Sequence, residues 1–227
     1  MNPAVAPRAL LPALVTRALA GGGLHFACSL LLSPFAALAS ADATWLPSET
    51  DFDTEAPQPT PVVLVHGLFS RPGHFRFLHR FLVVRGFQNF AAFSYAPRVD
   101  HEQLAGRLGR MIEAVCEVTG AAAVDVVGHS LGGLVARHLL EQGEGAHVRR
   151  LVTLGAPYLT DSLPERESAI FGAADVITPP PRHLRGRSVI VAGCGHLGLL
   201  YRAAALGHVA AFLAEPRPEA ARALRAA

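Results

Sequence analysis

From residue 62 onward, short apolar runs rich in β-branched residues alternate with stretches of helical periodicity. Parallel strands are buried on both faces and need crossover connections, so this alternation is typical of an α/β domain. We predict about six mostly parallel strands flanked by helices in one domain over residues 62–227. The predicted strands cover 62–65, 90–95, 122–127, 150–154, 168–171 and 188–191, and the predicted helices 73–84, 100–119, 131–141 and 197–213.

The first 41 residues differ in composition from the rest of the chain. Arg8 and Arg17 are their only charges, residues 24–39 are largely apolar, and small residues then follow in the pattern of a cleavage site. This layout indicates an export signal and a secreted or exported protein. Two alternatives stay open: an uncleaved membrane anchor, which Pro34 disfavours, and an N-terminal helix packed on a cytoplasmic domain. Residues 42–61, acidic and rich in proline, are interpreted as a linker.

Composition excludes several classes of function. The chain contains no lysine, which excludes a phosphate-loop lysine, a Schiff-base lysine and a lysine general base. The net charge is only +2, without a concentrated basic cluster, so we expect no nucleic-acid partner. No His-Glu-x-x-His pattern occurs, and we expect no metal. Cys28, Cys116 and Cys194 are too scattered for a disulfide scaffold, although a pair between the last two stays open.

The run Gly128-His129-Ser130-Leu131-Gly132 joins a predicted strand to a predicted helix. A serine hydroxyl attacks a carbonyl only where it is exposed and has a base beside it. A sharp strand-to-helix turn exposes the hydroxyl above the sheet, and flanking glycines allow the backbone to pack tightly there. We therefore predict that Ser130 is a nucleophile.

A nucleophilic serine also requires backbone N–H groups that stabilise the oxyanion formed during attack. We assign one to Leu131, which follows the serine at the positive end of a helix. The other is assigned to Leu68, in the loop His66-Gly67-Leu68-Phe69 that follows the first strand. On this loop we expect His66 to shape a pocket rather than to act as the base.

The acid and the base should follow the serine in that order at strand ends. Asp175 follows strand 168–171, and His196 lies in a glycine-rich loop after strand 188–191. Both are predicted to complete a triad with Ser130, because a carboxylate holds an imidazole in one tautomer and stabilises its charged form. The competing carboxylates are Asp125 and Asp161, and the competing histidines are His183 and His208.

Together these motifs resemble small bacterial lipases and esterases of the α/β-hydrolase superfamily over about residues 62–200. The run Thr153-Leu154-Gly155-Ala156-Pro157 adds to the resemblance, and the loops around Asp175 and His196 look like those of exported actinobacterial lipases. The resemblance implies hydrolysis of carboxylic esters through an acyl-enzyme, with no metal or organic cofactor. The expected partner is a small-molecule or lipid ester, with transient contact to a lipid or membrane surface, and the expected state is a monomer.

In one respect the chain departs from this pattern. Many relatives insert a large cap after the strand that here ends at Leu154, whereas only about ten residues separate Pro157 from Ser168. We therefore predict a minimal or absent cap, an open site and little activation by lipid interfaces. The residues assigned to substrate binding are His66, Gly67, Phe69, His129, Tyr158, Ile177 and Leu197, of which Phe69 and Tyr158 fit the core equally well.

Other reactions share the same machinery. Thioesters or amides could replace the ester, or the acyl group could pass to an acceptor other than water. Outside enzymes, the chain could be a lipid-binding protein on a hydrolase scaffold. The presence of all three triad residues disfavours that last interpretation.

Overall fold

The computed structural model describes residues 52–95 and 100–216. In these ranges six strands form one parallel sheet in the order β2-β1-β3-β4-β5-β6, which confirms the predicted α/β architecture. The strands are β1 Val62–Val65, β2 Phe90–Phe93, β3 Val124–His129, β4 Val148–Leu154, β5 Glu167–Gly172 and β6 Arg187–Val191. The α-helices are α1 Arg76–Val83, α2 His101–Thr119, α3 Leu131–Glu141 and α4 Ala203–Ala214.

The predicted export signal and residues 42–51 lie outside the described residues. In the part of the chain that is described, no helix has both the length and the apolar character needed to cross a membrane.

Helices cover both faces of the sheet. Successive residues of a strand point to opposite faces. In β1, Val62 and Leu64 therefore pack with the core under α1 and α4, whereas Val63 and Val65 pack with the core under α2 and α3. All four residues of β1 are buried, as a continuous apolar run in a parallel sheet requires.

The residues just before β1 contact the domain. The Asn89 side chain accepts a hydrogen bond from the Asp53 amide at 2.8 Å and donates to the carbonyl oxygens of Asp53 and Pro59 at 2.9 and 2.8 Å. Gln58 forms a parallel bridge with Phe87. The last part of the predicted linker is therefore held on the sheet edge beside β2.

The single helix predicted over 197–213 is wrong. A 3-10 helix, Leu197–Leu200, is separated from α4 by Tyr201 and Arg202. Arg202 has extended backbone angles, and its guanidinium donates a 2.7 Å hydrogen bond to the carbonyl of Gly193. This break lets the chain leave the loop after β6 before α4 turns back along the sheet.

Two connections at the carboxyl ends of the strands contain no α-helix. Residues 155–166 join β4 to β5, and residues 173–186 join β5 to β6. The short first connection agrees with the predicted lack of a large cap. Cys116 and Cys194 are both buried and free, so they do not form the disulfide that the sequence left open.

Candidate active site

Ser130 occupies a sharp turn between β3 and α3. Its φ and ψ are 54° and −122°, a conformation that residues with a side chain rarely adopt. The turn is held by a 2.9 Å hydrogen bond from the Ser130 amide to the carbonyl of Leu154 and by one from Gly133 to the carbonyl of Ser130. A side chain at Gly132 would come within 2.2 Å of the Val65 carbonyl oxygen, so glycine is required where α3 approaches β1.

Asp175 and His196 lie together at the carboxyl ends of the neighbouring strands β5 and β6. The carboxylate Oδ2 accepts a 2.7 Å hydrogen bond from Nδ1 of His196, so this contact orients the imidazole with Nε2 facing away from the acid. The other oxygen, Oδ1, accepts the amides of Ile177 and Thr178 at 2.9 and 2.8 Å. The Asp175 side chain is fully buried, and that of His196 is 9% exposed.

The competing candidates lie elsewhere. His183, His208 and Asp161 are exposed. The buried carboxylate of Asp125 forms a 2.5 Å ion pair with Arg149. None of these four is brought beside the Asp175–His196 pair by a contact of the described residues.

His129 links the base to the strand that carries the serine. Its ring lies 4.7 Å from the ring of His196, centre to centre, and its Nε2 lies 3.3 Å from the carbonyl oxygen of His196. Because His129 directly precedes Ser130 in the chain, the loop of His196 is adjacent to the nucleophile turn.

The loop after β1 approaches Ser130 from the opposite side. A side chain at Gly67 would come within 2.9 Å of the Ser130 Cβ, so this close approach requires glycine. A turn follows in which the Ser70 amide donates to the Gly67 carbonyl at 3.2 Å. That bond does not use the Leu68 amide, and the Leu131 amide, first in α3, has no partner within its helix. Both predicted oxyanion donors thus belong to segments that meet at Ser130.

These features agree with comparisons to known proteins. Residues 59–163 match the family model described as class 2 lipases. Among solved structures, a gene product of Listeria innocua is 14% identical with a TM-score of 0.57 over 70% of this chain and 96% of that one. A CIB-like hydrolase of Thermoplasma acidophilum is 15% identical with a TM-score of 0.54, over 70% and 87%. A serine hydrolase of Xanthomonas campestris, described as lacking a lid, is 17% identical with a TM-score of 0.53, over 71% and 82%.

The chain has the α/β-hydrolase fold. The family match over residues 59–163 and the fold agree with the resemblance drawn from the sequence motifs. Within residues 52–95 and 100–216 of this chain, no three His, Cys, Asp or Glu side chains are grouped so as to hold a metal ion.

His66 supports the loop that faces Ser130. The residue is 4% exposed, and its ring stacks on that of Tyr95 with 4.4 Å between the ring centres. The Tyr95 hydroxyl donates a 2.5 Å hydrogen bond to the His66 carbonyl, and Nδ1 of His66 donates to the Gly67 carbonyl at 2.9 Å. Burial lowers the pKa of His66 and raises that of Tyr95. Nothing in the sequence singled out Tyr95, because it follows β2 whereas its partner His66 follows β1.

The other residues assigned to substrate binding differ in exposure and in their distance from the proposed triad. Phe69 is 58% exposed at the turn after Gly67, and Ile177 and Leu197 are half-buried beside Asp175 and His196. Tyr158 instead packs edge-on against Phe171 of β5, with ring centres 6.0 Å apart. Of these four, Tyr158 alone belongs to a small core cluster at this end of the sheet.

A buried ionic network was not predicted. Arg137 of α3, 1% exposed, contacts the fully buried Glu167 with a 2.8 Å bond from Nε to Oε2 and a 2.5 Å bond from Nη2 to Oε1. Its Nη1 donates to the Pro157 carbonyl, and the Thr153 hydroxyl donates to Glu167 at 2.6 Å. The network ties the helix after the nucleophile to the short connection after β4. Its sequence signal is an arginine on the apolar face of α3.

Proposed function

We propose that this chain is a hydrolase that cleaves carboxylic esters, as a lipase or esterase, with Ser130, His196 and Asp175 as its triad. One observation carries the proposal. The buried hydrogen bond between Asp175 and His196 lies at the same edge of the sheet as the strained turn of Ser130. A buried carboxylate that orients an imidazole beside a serine is the arrangement that activates a hydroxyl for attack on a carbonyl.

The reaction proceeds through an acyl-enzyme. The Ser130 oxygen attacks the ester carbonyl carbon while Nε2 of His196 takes the hydroxyl proton, and the amides of Leu68 and Leu131 donate to the oxyanion. The tetrahedral intermediate collapses, the bond to the alcohol breaks, and His196 protonates the leaving oxygen. Water then attacks the acyl carbonyl with His196 as base, which releases the acid and restores the Ser130 hydroxyl.

The surroundings of the site favour substrates with apolar groups. The exposed Phe69 and the half-buried Leu68, Ile177 and Leu197 lie on the loops that flank the triad. The connection 155–166 contains no helix that could cover them. We propose that they form an open apolar wall which can also contact a lipid surface transiently.

A fluorophosphonate probe tests the nucleophile directly, because it labels only an activated serine. We expect the folded protein to be labelled and Ser130→Ala to lose both labelling and ester hydrolysis, with a rate reduced by several powers of ten. The matched control is Ser70→Ala, since Ser70 is also hydrogen-bonded to a histidine, with 2.6 Å between its Oγ and Nδ1 of His74. The assignment of Ser130 as the nucleophile would be contradicted if Ser130→Ala were still labelled. It would also be contradicted if Ser70→Ala lost labelling while Ser130→Ala kept it.

A further inference from the structure

His129 is buried between the loop that follows β1 and the loop that carries His196. It is 2% exposed and ends β3 directly before Ser130. On one side its Nδ1 lies next to Gly67, where an added Cβ would stand 3.1 Å away. On the other side its ring packs on the ring of His196 and its Nε2 reaches the His196 carbonyl oxygen. The side chain thus lies between the loop of Gly67 and the loop of His196, on either side of the nucleophile turn.

The contact with the carbonyl determines the tautomer. A carbonyl oxygen only accepts, so Nε2 of His129 carries the proton and donates it, and in a neutral imidazole Nδ1 is then unprotonated. Nδ1 has no hydrogen-bond partner among the described residues, and burial together with the neighbouring His196, His74 and His66 lowers the pKa of His129 well below its usual range. A neutral ring can lie beside His196 without repelling the imidazolium that forms during catalysis.

We infer that His129 is a positioning residue, whose Nε2–H holds the His196 backbone at the distance from Ser130 that proton transfer requires. The inference rests on the proposed function. The Asp175 hydrogen bond fixes the rotation of the His196 ring but lies on the side away from the serine. His129 supplies a second attachment, from the chain segment of the nucleophile itself to the backbone of the base.

Three substitutions separate the hydrogen bond from the volume of the ring. His129→Gln keeps an N–H near the position of Nε2, whereas His129→Asn has the same amide one carbon shorter and cannot reach the His196 carbonyl. His129→Phe keeps a ring without a donor. The matched control is His101→Gln, because His101 is also buried. Its unpartnered ring nitrogen is Nε2, and its ring contacts His138 and not His196.

We expect the Asn and Phe variants to lose about 10- to 100-fold in kcat with KM changed less than about twofold, because misplacing a catalytic group by about 1 Å costs this much. The Gln variant should stay within about threefold of the parent, and His101→Gln should match it. Fluorophosphonate should still label the Asn variant to completion, at a rate lowered by the same factor as kcat.

Proton NMR gives a second readout that needs no substrate. The proton between Nδ1 of His196 and Asp175 should give a sharp downfield resonance in the parent and the Gln variant and a broadened one in the Asn variant. If Asn and Gln behave alike, whether both active or both impaired, the positioning role is wrong. If the parent protein is never labelled at Ser130, the proposed function fails instead.

Discussion

At the scale of single residues, the backbone of Ser130 has a positive φ, which residues with a side chain rarely adopt. Its φ of 54° is shared among non-glycine residues of the described chain only by Phe69, at 55°. Both lie in turns that meet at the site. Such conformations cost on the order of 1–3 kcal/mol and persist where the surrounding structure over-determines them. The hydrogen bonds to β4 and α3 supply that constraint at the nucleophile.

This strain predicts a difference between two inactive variants. Ser130→Gly removes the Cβ that makes the turn unfavourable, whereas Ser130→Ala keeps it. We expect the glycine variant to be more stable than the alanine variant by about 1 kcal/mol, despite the greater entropy of its unfolded chain. Urea unfolding of both variants measures the difference. An alanine variant more stable than the glycine variant by about 0.4–1 kcal/mol, which is the effect of unfolded-chain entropy alone, would show that the turn stores no strain.

At the scale of elements, the helix after the nucleophile is joined to the connection after β4 by buried charges. Arg137 and Glu167 are 1% and 0% exposed, and their network reaches the carbonyl of Pro157. The connection 155–166 contains no helix of its own, so these contacts hold it in place at the carboxyl ends of the strands. We expect the pair to fix the position of this connection rather than to add stability, since replacing both charges by apolar groups is often neutral.

The buried pair therefore predicts strong non-additivity. Arg137→Met or Glu167→Gln alone should destabilise the protein by about 3–5 kcal/mol, because each leaves an unpaired buried charge. The double variant should lose far less than the sum. Chemical denaturation in a double-mutant cycle measures this, with Arg187 and Glu215 as the control pair. Those side chains are 52% and 37% exposed, and their removal should cost no more than about 1 kcal/mol. Additive losses at the buried pair would refute the coupling.

At the scale of the whole molecule, several partly or fully buried histidines make stability depend on pH. Burial lowers the pKa of His66, His74, His101 and His129 below the usual 6.5. Their unfolded forms bind protons that the folded forms resist, so stability is fully present above about pH 6.5 and is lost as pH falls below it. The buried Asp125, whose pKa burial raises, acts in the opposite sense, with stability lost as pH rises above its usual value of 3.8.

We therefore expect the free energy of unfolding to fall between pH 7 and pH 5, with net proton uptake on unfolding. Urea titrations at a series of pH values give the slope, which should be shallower in His101→Gln. That variant removes one of these histidines outside the proposed triad. A free energy of unfolding that stays constant from pH 7 to pH 5 would contradict this prediction. It would mean that hydration or polar partners compensate these rings for their burial.

The absence of a helical cap over the described site predicts the response to substrate aggregation. Since residues 155–166 contain no helix, no lid formed by this connection has to open at a lipid surface. We expect the rate on an ester to rise smoothly through its solubility limit, and a pH-stat assay across that limit measures it. A sharp jump once the substrate forms an emulsion would contradict the open site.

Periodicity and turn propensity depend on residues that are close together in the chain. The sequence by itself therefore determined the alternation of strands and helices, the turn at Ser130, and the strands that precede Asp175 and His196. The tertiary structure decided which side chains meet across strand ends. The contacts of His129 with His196, Tyr95 with His66 and Arg137 with Glu167 join residues far apart in the chain. Their proximity depends on the order and register of the strands, and the periodicity of a single helix or strand contains no information about either. The break at Tyr201 was missed for the same reason, because the apolar pattern of residues 197–213 continues through it.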